Sequence, residues 1–128
     1  IEVFKNYPTF GVGNKNYRIE TCDENKNNKN YYCLTHPHQV YIELLAEHGL
    51  LGTSVFLILI FYLIFKNFKI YLNSQNFIQL GSFIYLLTNF LPLLPSGSFF
   101  SDFNSTLFWI NLSIMYACNK KTNFFQKK

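Results

Sequence analysis

The sequence predicts an all-α chain, a polytopic membrane protein fragment with three transmembrane helices and one outward loop that carries the site. Three observations lead there. Charge is absent from residues 49–65, 77–101 and 103–119 of the 128-residue chain. Each run approaches the ~20 apolar residues that a helix rising about 1.5 Å per residue needs to cross a hydrocarbon core about 30 Å thick. Three such runs would leave a soluble bundle too little polar surface to cover them. Finally, Lys66 and Lys69 follow the first run and Lys120, Lys121, Lys127 and Lys128 follow the third, with no acidic residue among them.

Cytoplasmic flanks collect Lys and Arg. The net charge of +4 is therefore read as orientation, and no nucleic-acid partner is expected. The predicted order is a periplasmic loop with the start of the site helix (1–48), a span (49–66), a cytoplasmic loop (67–76), a span (77–94), a periplasmic turn (95–103), a span (104–119) and a cytoplasmic tail (120–128). A chain that opens on Ile1 and holds three spans reads as the C-terminal part of a longer polytopic protein.

Residues 1–7 read as the tail of a helix stopped at Pro8. Phe10-Gly11-Val12-Gly13-Asn14 follows. Its two glycines suit a tight turn with close backbone approach, or the lining of a substrate cleft. A third glycine and a preceding strand are missing, so it is no dinucleotide fingerprint. Arg18 is the only arginine in the chain. Its planar guanidinium suits phosphate, although a lone exposed arginine is also ordinary surface. Cys22 and Cys33 fall in the outward loop, where oxidising conditions permit a disulfide. Between them, residues 23–30 form a polar, low-complexity tip.

The segment 36–52 holds the sharpest chemical signal. Thr35 or His36 is expected to cap a helix with Pro37 in its first turn. His38 would then lie where free amide N–H groups and the helix dipole favour anions such as phosphate. There a neutral imidazole can accept a proton. An unbroken helix from 37 to 66 would align His38, Ile42, Leu45, Gly49, Gly52 and Phe56 on one stripe. Gly49 and Gly52 would let another helix or a lipid chain approach closely. Glu43 and Glu47 would turn away from His38 toward solvent, headgroups or another segment. Pro92, Pro95, Ser96 and Gly97 make a tight turn between the last two spans.

His38-Gln39, nine further residues, then Gly49-Leu50-Leu51-Gly52 resembles the signature of the O-antigen ligase family. The family pattern is His, then Asn, Ser or Gln, then nine residues, then Gly-x-x-Gly. Phe10-Gly11-Val12-Gly13 looks like its upstream glycine turn, and Pro95-Ser96-Gly97-Ser98-Phe99-Phe100 like the turn between its last spans. The resemblance implies a bacterial inner-membrane glycosyltransferase whose site faces the periplasm. Such an enzyme moves a glycan from an undecaprenyl-pyrophosphate carrier to a hydroxyl of lipid A core, of a glycan or of a protein, without metal or other cofactor. It makes His38 the general base and marks His36, Gln39, Arg18, Gly11 and Gly13 as substrate-binding. Arginines that hold the leaving group are expected upstream of Ile1.

Two other classes fit the sequence less well. A polysaccharide or lipid transporter would favour polar or broken helices at mid-membrane, whereas these spans are apolar apart from Asn89 and Asn111. A metal hydrolase would need His36, His38 and His48 to converge. Residues two apart do not share a helix face, and no His-Glu-x-x-His is present.

Overall fold

The computed structural model describes residues 1–23, 32–92, 95 and 97–123. Most of the polar tip and the last two lysines therefore lie outside the described residues. Among those described there is no strand, and five helices follow in order: α1 (Glu2–Asn6), α2 (Tyr17–Thr21), α3 (Val40–Ser74), α4 (Phe77–Thr88) and α5 (Asp102–Ala117). The all-α class holds.

Helix α3 has 35 residues, and its most apolar 18-residue stretch has a mean hydropathy of 2.1, long and apolar enough to cross a membrane. Only 22% of its most apolar stretch is buried within the described residues. Val55 and Ile58, exposed at 68% and 71%, would be costly to leave in water. The helix also runs on to Ser74, through the 67–76 stretch expected as a loop. It stops where Gln75 takes a left-handed backbone (φ 49°).

Helices α4 and α5 have 12 and 16 residues, about 18 and 24 Å; α4 is shorter than the 77–94 span expected, whereas α5 has the length expected at 104–119 and starts two residues earlier. Helix α4 ends early because the Thr88 hydroxyl and the Asn89 amide both donate to the Tyr85 carbonyl, and Pro92 follows close behind with no N–H to give. Its start is firmer. The Asn76 side chain caps it by accepting from the Ile78 and Gln79 amides, the usual role of Asn at such a site.

The chain divides into two compact units. One comprises Ile58–Leu91 and Asp102–Lys128. Ile60, Ile64, Leu86, Phe108 and Met115 are fully buried there. Phe68 stacks on Phe83 at 4.6 Å, and Phe90 meets Phe61 and Phe108 at 5.3 and 5.9 Å. Its buried amide side chains are paired: the Gln79 amide nitrogen donates to the Asn67 side chain (3.3 Å), and the Asn119 amide donates to Gln79 (3.3 Å). Such pairing offsets the cost of burying amides.

The other unit comprises Ile1–Leu57 and Pro92–Ser101. Val3 of α1, Tyr17 of α2 and Ala46 of α3 form its small apolar core, with Val12 packed alongside. Helix α1 ends at Asn6, ahead of Pro8. Helix α2 occupies a stretch that carries no strong helical pattern in sequence. This unit holds the histidines and both glycine motifs.

Candidate functional site

The site is built on a break in α3. Gly49 has φ 62° and ψ −169°, a region almost confined to glycine. A helix interrupted there loses its i→i−4 bonds, and the orphaned groups need other partners. The 8–13 loop supplies them. The Val12 and Gly13 amides donate to the Ala46 and Glu47 carbonyls at 3.0 and 2.8 Å. In return the Leu50 and Leu51 amides donate to the Pro8 and Thr9 carbonyls at 2.8 and 3.3 Å. The loop is thus spliced into the helix through four backbone hydrogen bonds.

This contact leaves no room for side chains. A β-carbon on Gly11 (φ 68°) would overlap the Glu47 carbonyl and come within 2.6 Å of the Gly49 nitrogen. One on Gly49 would overlap the Thr9 carbonyl and stand 2.5 Å from the Phe10 nitrogen. What approaches Gly49 is therefore a loop backbone, and the helix or lipid chain expected from the small-residue stripe is not the neighbour found. At Gly52 the close neighbour is the Cβ of His48, 2.8 Å from a built β-carbon. The stripe itself fails at Gly49, where the helical phase is lost. One turn past the break, the buried Thr53 hydroxyl has no hydrogen-bond partner among the described residues.

Helix α3 begins at Val40, so the expected cap at Thr35 or His36 is corrected. The Gln39 side-chain oxygen accepts from the Ile42 amide at 2.8 Å, which makes Gln39 the cap. Asn, Ser and Gln, the choices in the sequence pattern at this position, all carry an oxygen that can cap. His38 stands one residue ahead of the cap, outside the first turn, and is exposed. Its ring meets that of His36 edge-on at 4.7 Å. His36 Nδ1 lies 3.1 Å from the Thr35 hydroxyl.

The histidine segment is tied to α2. Cys22 and Cys33 are bonded, and the Thr21 hydroxyl donates to the Leu34 carbonyl at 3.1 Å. Arg18 is exposed on that same short helix. The bridge closes a loop of 11 residues, worth about 2–3 kcal/mol of unfolded-state entropy. Replacing both cysteines by serine is expected to loosen the 32–39 segment. Faster amide hydrogen exchange there, with unchanged exchange in α4 and α5, is the measurable outcome; uniform exchange throughout would contradict it.

Both glutamates are buried, at 0% and 4% exposure, and of the surroundings expected for them another segment is the one found. Glu47 accepts from the Lys15 amide at 3.0 Å, holding the turn that follows Gly13. Glu43 accepts from the Ser98 hydroxyl at 2.5 Å and from the Phe99 amide at 2.8 Å. Phe99 then packs on Phe56 (5.8 Å) and Phe100 on His48 (4.9 Å). Sequence reasoning missed these roles. A signal was available: Leu44, Leu45 and Ala46 lie between the two glutamates, leaving α3 little wet face on which to place them.

The described residues show no group of three or more His, Cys, Asp or Glu side chains placed to hold a metal ion. They do show a histidine pair, His38 exposed and His36 half-buried, at the mouth of a long apolar helix, and a glycine loop locked into that helix.

These features define an all-helical protein with a helix fit to cross a membrane and polar chemistry fixed at one end of it. Residues 1–57 match the family model described as O-Antigen ligase. The resemblance carried by His38-Gln39 and Gly49-x-x-Gly52 is therefore shown over that part of the chain. The match ends at Leu57, the residue at which the first compact unit leaves α3. No curated protein and no solved structure matches the chain.

Proposed function

We propose that this chain is the site-bearing part of a membrane glycosyltransferase of the O-antigen ligase type. It moves a glycan from an undecaprenyl-pyrophosphate carrier to an acceptor hydroxyl, with ligation to lipid A core as the reaction. The observation that carries this reading is the family match over residues 1–57, which falls on the unit that presents His38. The spliced glycine loop supports it, because it gives the two glycine landmarks of the resemblance one shared physical purpose.

In this reading the chain spans the bacterial inner membrane three times, with the segment before Gly49 and the 95–103 turn on the periplasmic side. The acceptor oxygen attacks the anomeric carbon, the bond from that carbon to the pyrophosphate oxygen breaks, and His38 takes the hydroxyl proton. Pyrophosphate leaves as a stabilised anion, so the base and the anion-holding groups do most of the chemistry. Exposed Arg18 and half-buried His36 are assigned to substrate binding, and Gly11, Gly13 and Gln39 to holding the site in shape. The reading assigns no cofactor and no metal.

Deleting the gene tests it. A ligase leaves full-length glycan on the lipid carrier and none on lipid A core. Single repeat units would reassign the chain to an O-antigen polymerase, and loss of glycan from protein alone to a protein O-oligosaccharyltransferase. Unchanged surface glycan, with no glycan held on the carrier, would overturn the reading.

A further inference from the structure

We propose that Glu43 is a positioning residue for this transfer, seating the 97–101 turn on the first turn of α3. The inference rests on the transferase reading for its functional half and on geometry for the rest. Glu43 is fully buried. One carboxylate oxygen takes the Ser98 hydroxyl and the other the Phe99 amide. Two donors from adjacent residues on two oxygens of one group fix the orientation of the turn as well as its distance.

Packing alone does not call for a carboxylate here. Phe99 and Phe100 already meet Phe56 and His48, and an apolar side chain at 43 would avoid the cost of desolvating a charge. Among the described residues no lysine or arginine pairs with Glu43. What the carboxylate adds is register. The same turn of helix carries the Gln39 cap, next to His38. His38 and the 97–101 turn are thus both referenced to the start of α3, one through the cap and one through Glu43. A shift of the turn changes what stands beside the base.

The test uses the full-length protein in proteoliposomes with a lipid-linked glycan donor. Glu43→Ala is expected to lower kcat about 10- to 100-fold, the scale of loss when reacting groups are misplaced by about an ångström. KM should stay within about threefold, since uniform binding is untouched. Chymotrypsin cleavage after Phe99 or Phe100 should become faster. Glu43→Gln keeps an acceptor for the Phe99 amide and should restore both kcat and protection to near the parent. Ser98→Ala, which leaves the Phe99 bond in place, should lie between and guards against a misfolded alanine variant.

Unchanged cleavage in Glu43→Ala would overturn the seating. Faster cleavage with unchanged kcat would overturn the role in transfer, as would a glutamine variant no better than alanine. If the parent protein transfers no glycan, the transferase reading and the role in transfer both fall, while the cleavage comparison still decides the seating.

Discussion

Replacing His38 by alanine is expected to lower glycan transfer by about 10²–10⁴-fold, the range that general-base assistance supplies. Membrane insertion and protein level should stay at the parent value. The separation is physical. His38 is exposed and precedes the cap, so its removal costs α3 neither a hydrogen bond nor a buried contact. The ring contact with His36 at 4.7 Å is lost, and an exposed aromatic edge contact contributes under about 1 kcal/mol. His36→Ala, by contrast, should reduce transfer only several-fold, because it removes a neighbour of the base and leaves the base itself. Reconstituted protein with a lipid-linked donor, assayed beside a membrane blot, gives both readouts. Near-normal transfer by His38→Ala would remove this residue from the reaction.

Gly49→Ala and Gly11→Ala should fail at folding, with transfer lost as a consequence. Alanine at Gly49 meets a backbone conformation that costs a side chain about 1–3 kcal/mol. It also drives a β-carbon into the Thr9 carbonyl. Relief requires pulling the 8–13 loop away, which unpairs the amides of Val12, Gly13, Leu50 and Leu51. Each buried backbone group left unpaired costs about 1–3 kcal/mol, so the total is comparable to the whole margin of an ordinary domain. Gly81 is the internal control. A β-carbon there meets nothing within 4 Å, and alanine in a helix is favoured over glycine by about 1 kcal/mol. Thermal midpoints in detergent should therefore fall steeply for Gly11→Ala and Gly49→Ala and hold or rise for Gly81→Ala. Equal midpoints for all three variants would contradict the splice.

Gly52→Ala belongs between these limits. Its β-carbon would crowd the His48 Cβ at 2.8 Å, a side-chain neighbour that shifts more readily than backbone. The contrast separates the two glycines of one motif. Gly49 is demanded by backbone geometry and by a loop against it, Gly52 by the side chain one turn earlier.

The histidines, the glycine pairs and the long apolar helix were legible in the residues themselves. Composition and periodicity are local properties, and a helix that must be apolar over some 17 residues shows itself in any window. The Gly-x-Gly turn was also legible as a close approach, since glycine is retained where a β-carbon has no room. What it approached was not. The pairing of residues 8–13 with 46–51 joins positions far apart in the chain, and nothing in either stretch names the other.

The same limit explains the corrected details. Helical phase counted through Gly49 assumed regular backbone, so the stripe below His38 and the unbroken helix from 37 both failed at a glycine that breaks the ladder. The cap moved to Gln39 because its oxygen reaches the Ile42 amide, a choice among nearby acceptors that side-chain geometry makes. The expected extent of the second apolar helix was read from absence of charge, whereas the length of α4 depends on where Asn89 and Pro92 interrupt the backbone bonds.

By itself, then, the sequence determined an all-helical chain, a helix fit for a membrane and the family resemblance. Each of these follows from residue type and near-neighbour spacing. Only the tertiary structure decided that Gly11 and Gly49 are two halves of one contact, that Glu43 and Glu47 are buried anchors, and that His38 stands exposed ahead of the cap. Those outcomes depend on which distant segment supplies the partner for a broken helix or a buried carboxylate, and that is settled by packing in three dimensions.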